Sequence, residues 1–592
     1  MSSNYPGLTR LLALSMTALL LPLSVVASNP AGDDSEELQE VITTGMRVGQ
    51  GGAQDINFFR GEVAYARIPH PETLTAEGLM SEHDIVLPAT RECRQLFCLT
   101  GEAARADLIA VPHAQYLAGI GFATNIDERR WRRAPTNLIA VVDKSGSMDG
   151  EPLELVRQSL AEMARLMRNG DQLTIVLYGD TAHVHLPTRR VGPANVGSVL
   201  GSIAQIKSAG STSMEAGLRL GYGIAEQTAP RFKGRTRLML FTDERPNTDA
   251  TDAESFMALA IEGSTHGFGL TTVGVGVQFD AQLATEIGSV RGGNLYFLRD
   301  DEDVRNVFRD QFEYMVSELA HNLKLTITPR TGLKIAGVYG VPGELMGWQD
   351  DSTVTVMIPT VFLDNRGGGI FVTLAPESNA SFLPPRATDG ALAKVSVTYL
   401  PLDGAPGTDS IEIAMETQGP SRGMALGALL VDEFTVLHEA TSAHYLRNDQ
   451  ETAYRLVSSL HDRLETSRLP GLDSERELIS ALHERISFLS GHGGEPDSQI
   501  GRLWGRWQVI GADKDADLSP GEFLEFTADN KLRKLNSDGE TTEDELEYEC
   551  NDSQIHLPRE EVLIKYRLRG DKLSLRELES GSKLQLVRVP AS

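Results

Sequence analysis

Positive charge is the scarcer sign in this sequence: 55 lysines and arginines stand against 82 aspartates and glutamates, a net charge of −27 over 592 residues. That shortfall disfavours nucleic acid and anionic membrane surfaces as partners. It favours solubility and cation binding, with most of the acidic groups serving as a solvated surface. Apolar runs long enough to cross a bilayer are missing after residue 27, so nothing later in the chain is read as a membrane span or a pore lining. Cysteine is rarer still. Cys93, Cys98 and Cys550 are the whole complement, which allows one intrachain bridge at most. None of them stands directly after the first apolar run, and a lipid-modified N terminus is therefore not expected.

What is present begins with Arg10, the apolar run Leu11 to Val26 interrupted by Pro22, and the small-residue site Val25-Val26-Ala27. This is the pattern of a secretory signal peptide over residues 1–27. As a helix the run would reach ~24 Å, short of the ~30 Å hydrocarbon core of a bilayer. Residues 28–54 are Gly-rich and acidic without periodicity and read as a disordered tether. The expectation is an exported chain, periplasmic or secreted to the cell surface, with no membrane span after signal cleavage. Export would admit a disulfide between Cys93 and Cys98 around Arg94-Gln95-Leu96-Phe97. Cys550 falls on the apolar face of the alternating stretch Leu546-Glu547-Tyr548-Glu549-Cys550 and reads as a buried, inert thiol.

The most informative segment is Asp143-Lys144-Ser145-Gly146-Ser147, which follows the apolar run Leu138-Ile139-Ala140-Val141-Val142. Such a run predicts a strand buried on both faces of a parallel sheet, and the motif starts where that strand ends, at the edge where α/β sheets bind ligands. Behind it Leu153, Val156, Leu160, Met163 and Met167 mark the apolar face of a crossover helix. A second buried strand, Leu238 to Phe241, ends in Thr242-Asp243. Ala209-Gly210-Ser211-Thr212-Ser213 opens a further helix from Met214 to Gln227. These residues resemble the von Willebrand factor type A (VWA) domain and its metal-ion-dependent adhesion site (MIDAS). The resemblance implies that Asp143, Ser145, Ser147, Thr212 and Asp243 are the metal ligands. Asp243-Glu244 departs from the commoner Asp-Gly at the last strand's end, which leaves the local turn open but removes no ligand.

The residue types suit the chemistry. Hydroxyl and carboxylate oxygens are hard ligands appropriate to Mg²⁺, and two carboxylates at most balance its charge, so the ion stays electrophilic toward an incoming anion. In the family that anion is a Glu or Asp of a partner protein. No base is placed to activate a metal-bound water, and an enzyme is not expected. Ser145 stands where a phosphatase D-x-D motif needs its second Asp, and Ser145-Gly146-Ser147 lacks the first Gly of a nucleophile elbow. His183 and His185 share a strand face without a third ligand and read as an exposed edge pair. Asp513-Lys514-Asp515-Ala516-Asp517 starts like a calcium loop but has Leu518 and Leu524 at the decisive later positions.

The fold class read from the pattern is multidomain α/β plus β. Residues 55–136, with strands such as Ala106 to Val111 and Tyr116 to Phe122, form the N-terminal part of a β-sandwich. Residues 137–320 form a Rossmann-like, doubly wound parallel sheet with further strands at Leu173 to Tyr178, Leu270 to Val275 and Asn294 to Leu298. Residues 321–420, where Leu323 to Ile327, Val354 to Ile358 and Val395 to Tyr399 alternate, complete the sandwich around the inserted α/β domain. Over residues 55–445 this resembles secreted bacterial VWA proteins labelled calcium-activated chloride channel homologues. A helical segment at 421–490 and a linker at 491–498 follow. Residues 499–592 form a small antiparallel barrel, in which Gly505-Arg506-Trp507 and Leu586-Val587-Arg588 resemble the G-x-W and closing Arg of lipocalin-like domains.

The function expected is an exported protein-binding protein, for adhesion or envelope assembly, that uses a Mg²⁺-occupied site to bind an acidic side chain of a partner. The alternatives are a structural scaffold with a metal-braced loop, or a lipocalin-like carrier of a small apolar ligand. Without a cation Asp143 and Asp243 repel, so Asp143→Ala is expected to stabilise the metal-free protein slightly. Cleavage after Ala27 would leave Ser28 at the N terminus of the exported protein. N-terminal sequencing reads this directly, and a chain still carrying Leu11 to Val26 would instead be anchored.

Overall fold

The computed structural model describes residues 47–50 and 56–589, apart from 65–66, 90, 128–129, 212, 244–249, 276–289, 291, 342–344, 349–351, 365–367, 378–389, 416–418, 494–497, 515, 517, 543–544, 551–552, 558–561 and 579. The signal segment at 1–27 and most of the tether lie outside the described residues. The described end of that tether is not irregular: Arg47–Gln50 is a strand paired antiparallel with Val361 to Asp364. Main-chain pairing to an edge asks for no side-chain periodicity, which is why the pattern concealed it.

The strand Thr136–Asp143 is buried along its whole length and lies at the centre of a six-stranded sheet. It pairs in parallel with Gln172–Tyr178 on one side and Arg235–Thr242 on the other, and the sheet continues in parallel through Gly269–Val275 and Gly293–Leu298. The outer strand His183–Arg190 runs antiparallel to Gln172–Tyr178, because the short turn between them cannot make a parallel crossover. Helices cover both faces. Leu153, Val156, Leu160 and Met163 of Glu151–Leu166 fill one core, and Leu218, Tyr222 and Ala225 of Met214–Thr228 fill the other. Because the chain leaves the central strand in opposite directions, a crevice forms at its carboxyl end.

At the opposite end the domain is fastened by buried ion pairs. Arg133 grips Asp171 with two nitrogens at 2.8 and 2.5 Å and reaches Glu313 at 2.8 Å. Arg237 binds Glu318 at 2.7 Å and lies over the ring of Phe362, 4.9 Å from its centroid.

Two further sheets flank this domain. One runs in the order Arg47–Gln50, Val354–Asp364, Glu318–Pro329, Ala393–Pro401, Gly407–Ile413, and the other Leu333–Tyr339, Ile370–Pro376, Tyr116–Ala123, Cys98–Arg105. Tyr116 and Ile120 from before the α/β domain share a core with Leu325, Val356, Val372 and Val397 from after it. The region 55–136 was expected to be all strand, and this is corrected: Asn57–Ala64, Pro71–Thr73 and Ala76–Ser81 are helical. They pack on the C-terminal helices through Phe59, Val63, Leu79 and Met80, a helical spacing obscured by the intervening Pro and Gly. Ala106 to Val111 is likewise no strand, since the Ile109 N–H donates to the Asp432 carboxylate at 2.7 Å instead of joining a ladder. Cys93 and Cys98 are disulfide-bonded, and Cys550 is free and buried.

The helical segment contains three helices, Arg422–Arg447, Gln450–Thr466 and Asp473–Leu489. Asn448, with φ 51°, ends the first, and Asp449 caps the second by accepting the Thr452 N–H. Beyond Gly493 a nine-stranded antiparallel sheet curls until its end strands, Leu546–Glu547 and Glu549–Cys550, are neighbours in the chain, giving a nearly closed barrel. Trp507 is fully buried in it, and the Arg588 guanidinium stands 4.3 Å from the Trp507 ring centroid. The barrel is tied to the helices by Arg67 to Glu549 at 2.7 Å and by Phe488 against Trp504, rings 5.1 Å apart. No helix among the described residues is long and apolar enough to cross a membrane.

Between the helices lies a buried ionic cluster. Arg60 bonds Glu82 and, at 2.6 Å, Glu475, which also meets His83 Nε2 at 3.2 Å. Glu433 is fully buried beside them, and neither of its oxygens has a hydrogen-bond partner among the described residues. Burial, and then the charge of Glu475, push its carboxyl well above the ordinary value of 4.5. A raised acid pKa means that the folded state holds the proton, so the contribution of Glu433 to stability is fullest below pH 4.5 and is lost as pH rises through the folded value. Glu433→Gln keeps the shape and cannot ionise. In urea unfolding it should exceed wild type at pH 8, with the gap closing below the unfolded carboxylate range.

Candidate metal centre

The crevice at the end of Thr136–Asp143 collects oxygen atoms. Asp143 is fully buried, and both its carboxylate oxygens are engaged: Oδ1 accepts the Ser145 N–H at 2.8 Å, and Oδ2 accepts the Thr242 hydroxyl at 3.1 Å. The first bond turns the chain back on itself at the strand end, as Asp does in tight turns. Ser145 then enters the short helix Gly146–Met148, whose Met148 is buried beneath the loop. Ser145 Oγ and Ser147 Oγ are 3.0 Å apart, and Ser147 Oγ donates to Asp243 Oδ1 at 3.1 Å. Asp143, Ser145, Ser147 and Asp243 are therefore linked in one hydrogen-bonded chain. Thr212 lies outside the described residues, but its loop docks against the motif, with the Gly146 N–H donating to the Gly210 carbonyl at 3.0 Å.

A test of fit follows from simple geometry. Adjacent oxygens of an octahedral ion with bonds of roughly 2.1 Å are about 3.0 Å apart. The Ser145–Ser147 and Ser147–Asp243 oxygen separations of 3.0 and 3.1 Å match that spacing. Electrostatics agree. Burial pushes the Asp243 carboxyl up, the Ser147 hydroxyl pulls it down and the Asp143 charge pushes it up again, a balance that leaves it above the usual range. A cation at this point would reverse the first and third of these effects.

A scan against protein-family models matches residues 137–310 to the von Willebrand factor type A domain. Residues 137–310 form a VWA domain. The chain is 26% identical over 226 residues to an uncharacterized protein of Synechocystis, covering 38% of this chain and 52% of that one. It is 27% identical over 194 residues to the uncharacterized protein YfbK of Escherichia coli, covering 32% and 33%. The chain thus spans about half the length of the first curated relative and about a third of the second. Among solved structures it is similar to a von Willebrand factor type A protein from Catenulispora acidiphila, with 14% identity, TM-score 0.41, and coverage of 67% of this chain and 91% of that chain. VWA domains commonly bind a divalent cation at the MIDAS and mediate protein–protein interaction.

Several residues around the VWA site carry no motif spelling. Thr242 fixes Asp143, and Asp180 binds Ser211; both stand at or just beyond strand ends on the site's side of the sheet, which was the available signal. Lys144, inside the motif, spends its amino group on the Ala209 carbonyl at 2.6 Å. His183 is exposed and His185 meets the Ser202 carbonyl at 2.8 Å, away from the centre. A divalent cation at the centre could be held by Asp143, Ser145, Ser147 and Asp243.

The structure revises the sign expected for Asp143→Ala. Relief of the Asp143–Asp243 repulsion is opposed by the loss of the acceptor for the buried Ser145 N–H. Each unsatisfied buried group costs about 1–3 kcal/mol, more than repulsion between partly screened carboxylates returns. In EDTA, Asp143→Ala should therefore unfold at a lower temperature than wild type. Added Mg²⁺ should raise the melting temperature of the wild type and not that of the variant.

Proposed function

We propose that the protein is an exported binding protein whose VWA domain holds Mg²⁺ on Asp143, Ser145, Ser147, Thr212 and Asp243 and recognises an acidic side chain of a partner protein. The observation that carries this reading is the chain of oxygens from Ser145 to Asp243 at ligand-to-ligand spacing. With two carboxylates in the set, the bound ion keeps an affinity for one more. The Cys93–Cys98 disulfide, of a kind that persists in oxidising compartments, supports export. A binding role without catalysis is favoured because the amine inside the motif, Lys144, is already committed to a carbonyl. We read the two flanking sheets as a sandwich that carries the inserted VWA domain. The C-terminal barrel, with Arg588 over Trp507, is read as a lipocalin-like module whose interior would suit a small apolar ligand.

The deciding experiment is capture of partners from an envelope extract by wild type in Mg²⁺, by wild type in EDTA, and by Asp143→Ala. Capture should be lost in the last two together, and Ser145→Ala, which removes a neutral ligand, should lose less. Equal capture in all three would discard metal-bridged recognition and favour a scaffold braced by metal or by none.

A further inference from the structure

The loop that carries Thr212 is held from beneath by side chains that are not among the proposed ligands. Asp180, two residues beyond the strand Gln172–Tyr178, accepts both the Ser211 N–H at 2.8 Å and the Ser211 hydroxyl at 2.6 Å on its Oδ1. Lys144 Nζ donates to the Ala209 carbonyl at 2.6 Å. The Lys144 backbone is itself pinned, donating to the Tyr178 carbonyl at 2.9 Å and accepting the Ala209 N–H at 2.6 Å. Together with the Gly146–Gly210 bond, these interactions fasten three chain segments, 144–146, 179–180 and 209–211, to one another.

The segments meet without slack. Gly210 has φ 93°, and a Cβ there would lie 2.8 Å from Asp180 Oδ2. A Cβ on Gly179 would lie 2.9 Å from both the Ala209 carbonyl oxygen and Lys144 Nζ. Glycine at these positions is what lets the carboxylate and the ammonium reach the loop. A neutral hydroxyl is a weak ligand, and it contributes to affinity only when its position is set before the cation arrives.

We propose that Asp180 and Lys144 are positioning residues of the metal centre, clamping the 209–211 segment against the 144–146 loop so that the Ser145 and Ser147 hydroxyls are set in place for the cation. The inference rests on the metal-binding reading above and extends it to residues outside the ligand set. It is tested on the full chain by calorimetric titration with Mg²⁺, and by hydrogen exchange of the peptide spanning 209–213 in EDTA. Loss of an outer partner of a metal ligand typically weakens metal binding by roughly 10- to 100-fold. Asp180 acts one bond further out, through Ser211, so Asp180→Ala should weaken binding by up to roughly 10-fold and should speed exchange of the 209–213 peptide with no cation present. Asp180→Asn keeps an acceptor oxygen and should recover part of both. Lys144→Met, which removes the side-chain bond to the Ala209 carbonyl and leaves Asp180 in place, should also weaken binding. Should Asp180→Ala not fold, these two variants carry the same comparison. Unchanged Mg²⁺ affinity in the variants, with wild type binding, overturns the clamp and leaves the metal reading standing. A wild type that takes up no Mg²⁺ overturns both.

Discussion

The burial of one strand, Thr136–Asp143, governs what this protein can do. Parallel neighbours on both sides leave no edge for water, so its carboxyl end is the first place where the chain can turn polar. Asp143 occupies that place with no solvent exposure, and it remains tolerable there because the Ser145 amide and the Thr242 hydroxyl satisfy both oxygens. Everything around the site is arranged with respect to this fixed carboxylate: the turn through Ser145 and Ser147, the arrival of Asp243 from the adjacent strand, and the docking of the 209–211 segment.

The opposite end of the same sheet is built for attachment. Arg133 with Asp171 and Glu313, and Arg237 with Glu318 and the Phe362 ring, are guanidinium pairings taken out of water where the VWA domain meets the flanking sheets. Fully paired, they set orientation more than they add stability, since desolvation offsets much of the Coulomb attraction. The sheet therefore has one polar end that is internally satisfied and one that faces its own chain.

How much of this was legible in the sequence depended on whether a residue's role was local. The apolar runs 138–142 and 238–241 announced buried strands, and the face Leu153, Val156, Leu160, Met163 is the core face of Glu151–Leu166. Asp143, Ser145, Ser147 and Asp243 stood out because a loop at a strand end has few other reasons to hold such residues. Roles created by distant partners were silent. Nothing near Arg47–Gln50 indicates a strand, because its partner is more than 300 residues away. Ala106 to Val111 looked like a strand because the Asp432 carboxylate that takes its amide hydrogen belongs to a helix of another region. Asp180 and Thr242 were overlooked for the same reason, as their partners are loop and strand atoms that sequence spacing does not place beside them.

The pairing of Tyr116–Ala123 with Ile370–Pro376 bears on how the chain is made. About 250 residues separate these partners, so the edge of the earlier strand that takes Ile370–Pro376 stays open until the intervening length has folded. The VWA domain, whose own sheet is contained within that interval, can fold during the delay. Its completion then brings the two ends of the insertion together and shortens the loop that the flanking sheet must close. Until that moment Leu117 and Ile120, both destined for complete burial, belong to a strand paired only with Cys98–Arg105, whose other edge is open to other unpaired strands. Nascent chains of this protein are thus most vulnerable to aggregation before the VWA domain has closed, and a lesion that slows its closure can lower yield without touching either strand.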